Sequence, residues 1–368
     1  MINNKQVLII SPEPWDGHFV SKHHYAITLA KLGYKVYFLS PPDNSLSKVK
    51  INTTKYQNLY SVVASQVAKG LRFYPKLLRN IIERRWLKKF EATIGQKFTT
   101  IWLFENSRFY NLNFAKDKLK IYHQVDSNQN FHTKEASITA DICFCTTGFI
   151  KRNLTPFNNH VYKIHHGVSR LDTLFLPKEE HKNLNNNNIN VVVVGNLDIS
   201  FLDINTLVLL IKKFPNITFH LVGSYNKQKK LFKSCIGLEN IVWWGRVESN
   251  LIPKILSKCD IQLLLYNANN QVEKEQLASP HKMMEYFSSG KVTVATYTDE
   301  YKDKRHLLEM VDNSNDYLQK FEEVVNNLDF YNSEEKKQER IKFAKNNSYE
   351  KQLDKIMTLC KKHNLKGL

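Results

Sequence analysis

Ser279-Pro280-His281-Lys282-Met283-Met284-Glu285-Tyr286-Phe287-Ser288-Ser289-Gly290, running into Lys291-Val292-Thr293-Val294-Ala295-Thr296, is the stretch whose reading decides the fold of this chain. The first part reads as a helix and the second as a buried strand. Ser279 is a good N-cap residue, and Pro280 suits the first helical position, where a missing N–H costs nothing. A helix start carries unpaired N–H groups and a partial positive charge, which together favour a phosphate. Lys282 adds a full charge at that end. Glu285, three residues on, lies near the same face within one turn. A carboxylate beside a phosphate site is well placed to hold ribose hydroxyls. The spacing reads equally as a capped amphipathic helix with a solvated lysine and glutamate.

The alternation of helix and strand fills the chain on both sides. Residues 6–10 (QVLII) read as a buried strand, SPEPWDGH as the loop after it, and residues 20–32 as a helix. That helix has Ala26, Leu29, Ala30 and Leu32 on its apolar side and Gly33 as its C-terminal stop. YKVYFLSPP is a second strand, ended by prolines. TTIWLFEN, LKIYHQVDS, DICFCTT and VYKIHHGV follow as further strands. This order predicts a parallel α/β sheet, in which ligands sit at the strand C-terminal ends. Residues 178–190 (KEEHKNLNNNNIN) are polar and without periodicity, and read as an exposed linker. The pattern then restarts: NVVVVGNLD, the helix DINTLVLLIKKFP closed by Pro215, then ITFHLVGS, NIVWWGRV, CDIQLLLY and KVTVAT. The tail from about Tyr349 to Lys362 is amphipathic and helical. No short repeat is visible; what repeats is the domain type.

The chain has 368 residues, a length comfortable for two ordinary domains, and 42% hydrophobic residues are enough for real cores. There is no apolar run of membrane-spanning length, and MINNKQVLII lacks the features of a signal peptide. Cytoplasmic residence is the expectation, on the inner face of the plasma membrane if a surface binds there. The five cysteines, Cys143, Cys145, Cys235, Cys259 and Cys360, are scattered and mostly lie in apolar runs, which predicts core thiols.

Fifty-three Lys and Arg against thirty-five Asp and Glu leave a net charge of +18. Such a field attracts nucleic acid, anionic lipid or pyrophosphate-bearing substrates alike. No nucleic-acid-binding module is recognisable, and the basic residues are spread among α/β elements, so no nucleic-acid partner is expected. The strongest basic-aromatic stretch is residues 66–90 (QVAKGLRFYPKLLRNIIERRWLKKF). Lys69, Arg72, Lys76, Arg79, Arg84, Arg85, Lys88 and Lys89 stand there against Glu83 alone, with Leu77, Leu78, Ile81, Ile82 and Trp86 at helical spacing. This reads as an amphipathic basic helix adsorbing to an anionic membrane, or as an ordinary surface helix with a solvated basic side.

Taken as a motif, Ser-Pro-His-Lys-x-x-Glu-Tyr-x-x-x-Gly-Lys-x-x-Val-Ala-Thr from Ser279 to Thr296 resembles the donor-binding signature of GT-B glycosyltransferases of the group 1, family 4-like set. Other segments agree in order. Pro12-Glu13-Pro14-Trp15-Asp16-Gly17, the helix after it and Leu39-Ser40-Pro41-Pro42 are similar to members of the teichuronic-acid type. Ile121 to Asp126, Thr139 to Thr146, Val194 to Asp198, Leu221-Val222-Gly223 and Asn240 to Val247 resemble successive family strands. His165-His166-Gly167-Val168 stands where the family usually has Asn-Gly-Val-Asp.

The resemblance implies two Rossmann-like domains with parallel sheets facing across a cleft. The first is an acceptor domain over 1–170, the second a nucleotide-sugar domain over 175–345, with 346–368 a helix packing back towards the first. It implies metal-independent transfer of a sugar from a UDP- or GDP-linked donor to a glycan or polyprenyl-linked acceptor, in cell-surface polysaccharide synthesis. No cofactor is implied. Glu285 would bind the donor ribose. Lys282, with the helix start at Ser279, Pro280 and His281, would face the diphosphate. Gly245, Arg246 and Val247 would line the base pocket. Gly195 and Asn196 would approach the phosphates, with Gly17 from the other side. Many retaining members carry a second glutamate eight residues before the ribose-binding one; here that position is Leu277, with Glu275 and Gln276 out of register. The stereochemical outcome therefore stays open.

Glycosyl transfer separates charge, and cations and helix starts aimed at the phosphates stabilise the leaving group. An inverting enzyme also needs a base for the acceptor hydroxyl. Asp126 is the first candidate, with Asp16 and His18 next; Asp126 reads equally as a strand-end cap. His23 and His24 begin the first helix. His165 and His166 point to opposite faces if extended, so they make a poor metal pair, and no Asp-x-Asp is present. A GT-B sugar-nucleotide epimerase is the alternative enzyme. A dehydrogenase is disfavoured, because no Gly-x-Gly-x-x-Gly follows an early strand.

Overall fold

The computed structural model describes residues 5–17, 19–47, 49–127, 131–168, 188–226, 230–249, 251–267 and 280–368. The chain divides into two units, Met1–His166 with Tyr349–Leu368, and Gly167–Ser348.

The first unit is built on β1 (Gln6–Ile10), β2 (Lys35–Leu39), β3 (Lys50–Thr53), β4 (Leu59–Val63), β5 (Thr100–Leu103), β6 (Leu119–Gln124), β7 (Ile142–Cys145) and β8 (Val161–Lys163). Their order across the sheet is β3-β4-β2-β1-β5-β6-β7-β8. All neighbours are parallel except β3, which runs antiparallel to β4 at the edge. The sequence reading passed over this pair, because Lys50-Ile51-Asn52-Thr53 has a single apolar residue and little to bury. β1 is buried along its whole length. Val7 and Ile9 enter one core cluster, Leu8 and Ile10 the other, so both sheet faces are covered. Tyr349, Leu353 and Ile356 of the terminal helix Tyr349–Lys362 join the first cluster, alongside Ala26 and Leu29 of the helix Ser21–Lys31. Leu32, expected on that buried side, is the C-cap and is 49% exposed.

The helix Lys76–Ile94 has two readings from its sequence, a face for an anionic membrane or an ordinary surface helix with a solvated basic side. Its buried residues are Arg79 and Glu83, paired at 2.7 Å, with Leu87 and Phe90, while Leu77, Leu78 and Ile81 are exposed. The basic side is thus not wholly solvated, and the apolar residues of the first turns stand on the surface. Burial pushes the Glu83 carboxyl up to about 7, against the pull of Arg79.

The second unit carries β9 (Asn190–Val194), β10 (Thr218–Val222), β11 (Ile241–Gly245), β12 (Ile261–Leu264), β13 (Val292–Thr296) and β14 (Glu309–Val311), in the order β11-β10-β9-β12-β13-β14, with parallel pairing throughout. Val191 and Val193 pack on one side of β9, Val192 and Val194 on the other. The decisive helix runs Lys282–Ser289, with His281 in the cap position. It begins later than expected. The N–H of Met283 reaches the carbonyl of Pro280 at 2.9 Å, a tight i to i−3 turn that delays regular helix. Ser279, the expected cap, lies outside the described residues. Met283, Met284 and Phe287 face the core. The five cysteines are buried free thiols.

The strand ends of β9, β10 and β11 carry Gly195, Gly223 and Gly245, all at positive φ. Gly195 N–H donates to the Val222 carbonyl at 2.9 Å and Gly223 N–H to the Gly245 carbonyl at 2.8 Å. A Cβ on residue 223 would stand 1.6 Å from the Gly195 carbonyl oxygen. Gly237, also at positive φ, has nothing within 4 Å of its Cβ position. Gly237→Ala is therefore expected to cost about 1 kcal/mol, whereas Gly223→Ala should cost at least about 3 kcal/mol. Paired urea denaturation curves check the contrast, and equal midpoints would contradict the packing described.

Candidate functional site

In the second unit the site is assembled around the end of β9. The Tyr286 hydroxyl accepts from the Val194 N–H at 3.0 Å and donates to the Leu263 carbonyl at 3.3 Å. That buried hydroxyl ties the helix Lys282–Ser289 to two strands. One turn before it, Lys282 Nζ donates to the Val194 carbonyl at 2.6 Å and lies 5.3 Å from the centre of the Tyr266 ring. A Cβ on Gly195 would meet that ammonium at 3.0 Å, so the glycine leaves the lysine its place. Burial lowers Lys282 to about 8, with Glu285 opposing. Burial raises Glu285 to about 7, with Lys282 opposing. Glu285 is half-buried, and its carboxylate has no hydrogen bond or ion pair among the described residues. A carboxylate held in that way is an acceptor awaiting donors.

The neighbouring loops are fixed by backbone contacts. Asn196 Oδ1 accepts from the Asp198 N–H at 3.0 Å and the Ser224 hydroxyl at 3.1 Å, which zips the turn after β9 to the turn after β10. Gly245, Arg246 and Val247 follow β11; Arg246 is exposed and Val247 packs against the core. Behind them His220 is held as a neutral ring. It accepts from the Trp244 indole N–H at 3.1 Å and pairs with Asn190 Oδ1 at 2.9 Å, and burial lowers it to about 4. His281 is likewise lowered to about 4 by burial. Lys282, Glu285, His281, Pro280, Gly195, Asn196, Gly245, Arg246 and Val247 thus all lie in this unit, around the strand ends and the helix start. Gly223 belongs with them but was not singled out from the sequence; its Leu-Val-Gly context was the available sign.

In the first unit the loop after β1 is a second constellation. Ser11 Oγ accepts from the Glu13 N–H at 3.0 Å, and Gly17 N–H donates to the Pro14 carbonyl at 3.2 Å. Asp16 is exposed on this loop; His18 lies outside the described residues. Glu13 pairs with Lys22, which is 1% exposed. Asp126 stands two residues past the end of β6. Gln124 Nε2 donates to its carbonyl at 3.1 Å, and the Thr146 hydroxyl to the Val125 carbonyl at 2.5 Å, so the turn is pinned. The Asp126 carboxyl itself has no partner among the described residues. Burial raises its pKa, with Lys22 lowering it and Glu13 raising it. Among the described residues this side chain makes no strand-end cap. Lys22 and Glu13 were missed as site residues; a lysine early in a helix, nine residues after a loop glutamate, gives no pattern that periodicity detects.

His23, His24 and His166 each have a partner inside this unit. His23 accepts from the Val20 N–H at 3.2 Å and pairs with the Pro14 carbonyl at 3.0 Å, bracing the loop. His24 stacks on Tyr349, with centroids 4.8 Å apart. His166 Nδ1 is 2.6 Å from the Ser21 hydroxyl. Among the described residues no group of three or more His, Cys, Asp or Glu is placed to hold a metal ion.

Residues 188–327 match the family model for glycosyl transferases, group 1. No protein of curated function matches the chain by sequence. Among solved structures, sucrose-phosphate synthase from Thermosynechococcus elongatus is 13% identical, with a TM-score of 0.72 over 98% of this chain and 99% of that one. A glycosyltransferase from Rickettsia africae is 12% identical, with a TM-score of 0.69 over 99% and 100%. Anabaena HepE, solved with UDP and glucose, is 11% identical, with a TM-score of 0.67 over 96% and 100%. The fold is GT-B.

A carboxyl whose folded pKa is raised binds protons that the unfolded chain has released, so its charge subtracts stability as pH climbs through that window. For Glu285 the window runs from 4.5 to about 7. Glu285→Gln should therefore match wild type near the bottom of the window and exceed it by about 1–2 kcal/mol at pH 8. Denaturation midpoints across pH measure this; a variant less stable than wild type at pH 8 would mean that the carboxylate is satisfied in the protein.

Proposed function

From a chain that carries a group 1 glycosyltransferase domain on the GT-B fold, we propose transfer of a sugar from a UDP- or GDP-linked donor to a glycan or lipid-linked acceptor in cell-surface polysaccharide synthesis. The observation that carries the donor assignment is a Glu285 carboxylate with no hydrogen-bond partner among the described residues, within one turn of the Lys282 ammonium and beside glycine-lined strand ends. Ribose hydroxyls donate to Glu285. The diphosphate lies against Lys282 and the backbone of Gly195 and Asn196, and the base against Gly245, Arg246 and Val247. An anion at Lys282 favours its charged form, so donor binding restores the proton that burial loosens.

As the bond from the anomeric carbon to the diphosphate oxygen breaks, negative charge grows on the leaving group, and the lysine stabilises it there. In an inverting reaction Asp126 accepts the acceptor hydroxyl proton while that oxygen attacks the anomeric carbon. A carboxyl raised by burial is a better base than a solvated one. Asp16 and His18 are the further candidates for that base, and Gly17, Ser279, Pro280 and His281 for contacts to the donor's sugar and diphosphate; His18 and Ser279 lie outside the described residues. No metal is required of this chemistry.

The acceptor side includes a membrane surface at residues 66–90. Phe73 is 75% exposed and Leu77 81% exposed, beside Lys69, Arg72 and Lys76. Apolar side chains in water flanked by cations suit an anionic interface. No helix among the described residues is long and apolar enough to cross a membrane. This reading puts the protein in the cytoplasm, with residues 66–90 against the inner face of the plasma membrane.

Glu285→Ala is expected to weaken UDP or GDP, whichever wild type binds, by about thirtyfold, near 2 kcal/mol. Asp126→Asn should leave that titration unchanged and reduce turnover by about a hundredfold or more. Calorimetric titration and donor-consumption assays give both; an unaltered nucleotide affinity in Glu285→Ala removes the donor assignment. In liposome sedimentation, anionic vesicles should retain the wild type and release Leu77→Glu. Retention independent of anionic lipid would remove the surface.

A further inference from the structure

Lys22, in the first turn of the helix Ser21–Lys31, is 1% exposed. Its one ion pair among the described residues is with Glu13 on the loop after β1, a carboxylate that is 38% exposed. Burying a cation against a single, partly solvated partner is a poor way to stabilise a fold, because an apolar side chain of the same length avoids the desolvation. The position is better explained by what the charge does to its neighbours.

Those neighbours follow from the architecture. In a parallel α/β layer the helix runs back along the sheet, so its N-terminus lies at the C-terminal ends of the strands. Tyr25, one turn beyond Lys22, sets its ring 5.6 Å from that of His123 in β6. Lys22 shares that helix face one turn nearer the start, and so lies nearer the end of β6, where Asp126 stands two residues past Gln124. The turn carrying Asp126 is pinned by Gln124 and Thr146, which fixes its place relative to the helix. The lysine's charge is felt at both positions. Burial pushes His123 down to about 3, and Lys22 adds to the fall. Burial raises Asp126, with Lys22 opposing and Glu13 reinforcing the rise. Among the described residues the charged groups facing Asp126 are therefore Lys22 from the helix and Glu13 from the loop. His123 is a neutral ring set among Tyr25, Trp102, Phe104 and Phe144.

We propose that Lys22 is a positioning residue: its buried ammonium, clamped by Glu13, holds the Asp126 carboxyl as the anion that takes the proton of the acceptor hydroxyl. Lys22 is shut off from solvent, so it acts through Asp126 and touches no substrate. As the setter of a base it rests on the assignment of that role to Asp126; as a charge coupling inside the first unit it does not. The two partners of the clamp pull in opposite directions. Removing the cation raises the Asp126 carboxyl, and removing the competing carboxylate lowers it. A clamp that merely fastened the loop to the helix would respond alike to both changes, since each breaks the same ion pair.

Carbon-13 titration of the aspartate side-chain carboxyls in the full chain, with no ligand added, tests the coupling; the Asp126 signal is the one missing from Asp126→Asn. Lys22→Met should move its midpoint up by at least about one pH unit, and Glu13→Gln should move it down by about half a unit or more. Lys22→Arg keeps the charge and should leave the midpoint near its wild-type value. Glu13→Gln, on a partly exposed loop, decides the matter if Lys22→Met does not fold. Consumption of UDP-glucose or GDP-mannose, whichever wild type accepts, should show the acid limb of its pH profile displaced in the same two directions. An unmoved midpoint in either variant, or shifts of the same sign in both, would overturn the proposal. Wild-type turnover in Asp126→Asn, with the two opposite shifts present, would instead remove the base assignment and leave the charge coupling standing.

Discussion

The hydroxyl of Tyr286 is the fastening on which the second unit's site depends. It takes the Val194 N–H at the end of β9 and gives its proton to the Leu263 carbonyl in β12. The central pair of the sheet and the helix Lys282–Ser289 are thereby held at one point. Lys282 lies one turn before that hydroxyl and so must lie near the end of β9, where it finds the Val194 carbonyl. Glu285 precedes the tyrosine by one residue and is rotated off the core, which is why it is half-buried and, among the described residues, without a hydrogen-bond partner. The roles of a charged pair are set by a buried neutral group between them and the sheet.

The glycines are the complement of that fastening. With Lys282 placed against β9, the turn after the strand has no room for a side chain, and Gly195 supplies none. The turn after β10 then presses on the turn after β9, with the Gly195 carbonyl in the volume a Cβ at residue 223 would take. Three neighbouring strand ends thus carry glycine, and with the Gly195 and Gly223 N–H groups spent between the strands, the Lys282 cation is what they leave for a phosphate.

Legibility followed periodicity. Fully apolar strands such as Val191 to Val194 are plain in the sequence because burial on both faces leaves no polar residue to confuse the pattern, and the helix Ile204–Lys213 because its buried Leu207, Leu210 and Ile211 recur at helical spacing. The motif around Lys282 and Glu285 is plain because neighbours one turn apart must share a face. What escaped was set by tertiary packing. The edge strand β3 buries too little to leave a mark. In the helix Lys76–Ile94 the basic residues read alike from the sequence, while the structure buries Arg79 against Glu83, a pairing that charge counting does not single out. Lys22 and Glu13 are close only because the loop after β1 folds back on the helix start, a closure written in Ser11 and His23 hydrogen bonds instead of in spacing.

Glu285 and Asp126 are carboxyls whose pKa burial raises and for which the described residues offer no hydrogen-bond partner. Unpartnered buried atoms alone do not single out a site: among the described residues Arg79 Nη1, Arg340 Nη2 and Gln6 Oε1 lack a partner too, while His220 is bracketed by Asn190 and Trp244. What separates the two carboxyls is a charge beside the C-terminal end of a parallel strand, β6 for Asp126 and, through its neighbour Lys282, β9 for Glu285. The strand ends of both units are where the α/β architecture leaves loops free to carry such groups without disturbing the sheet. Two carboxyls in that position therefore point to binding surfaces more clearly than their residue types alone would.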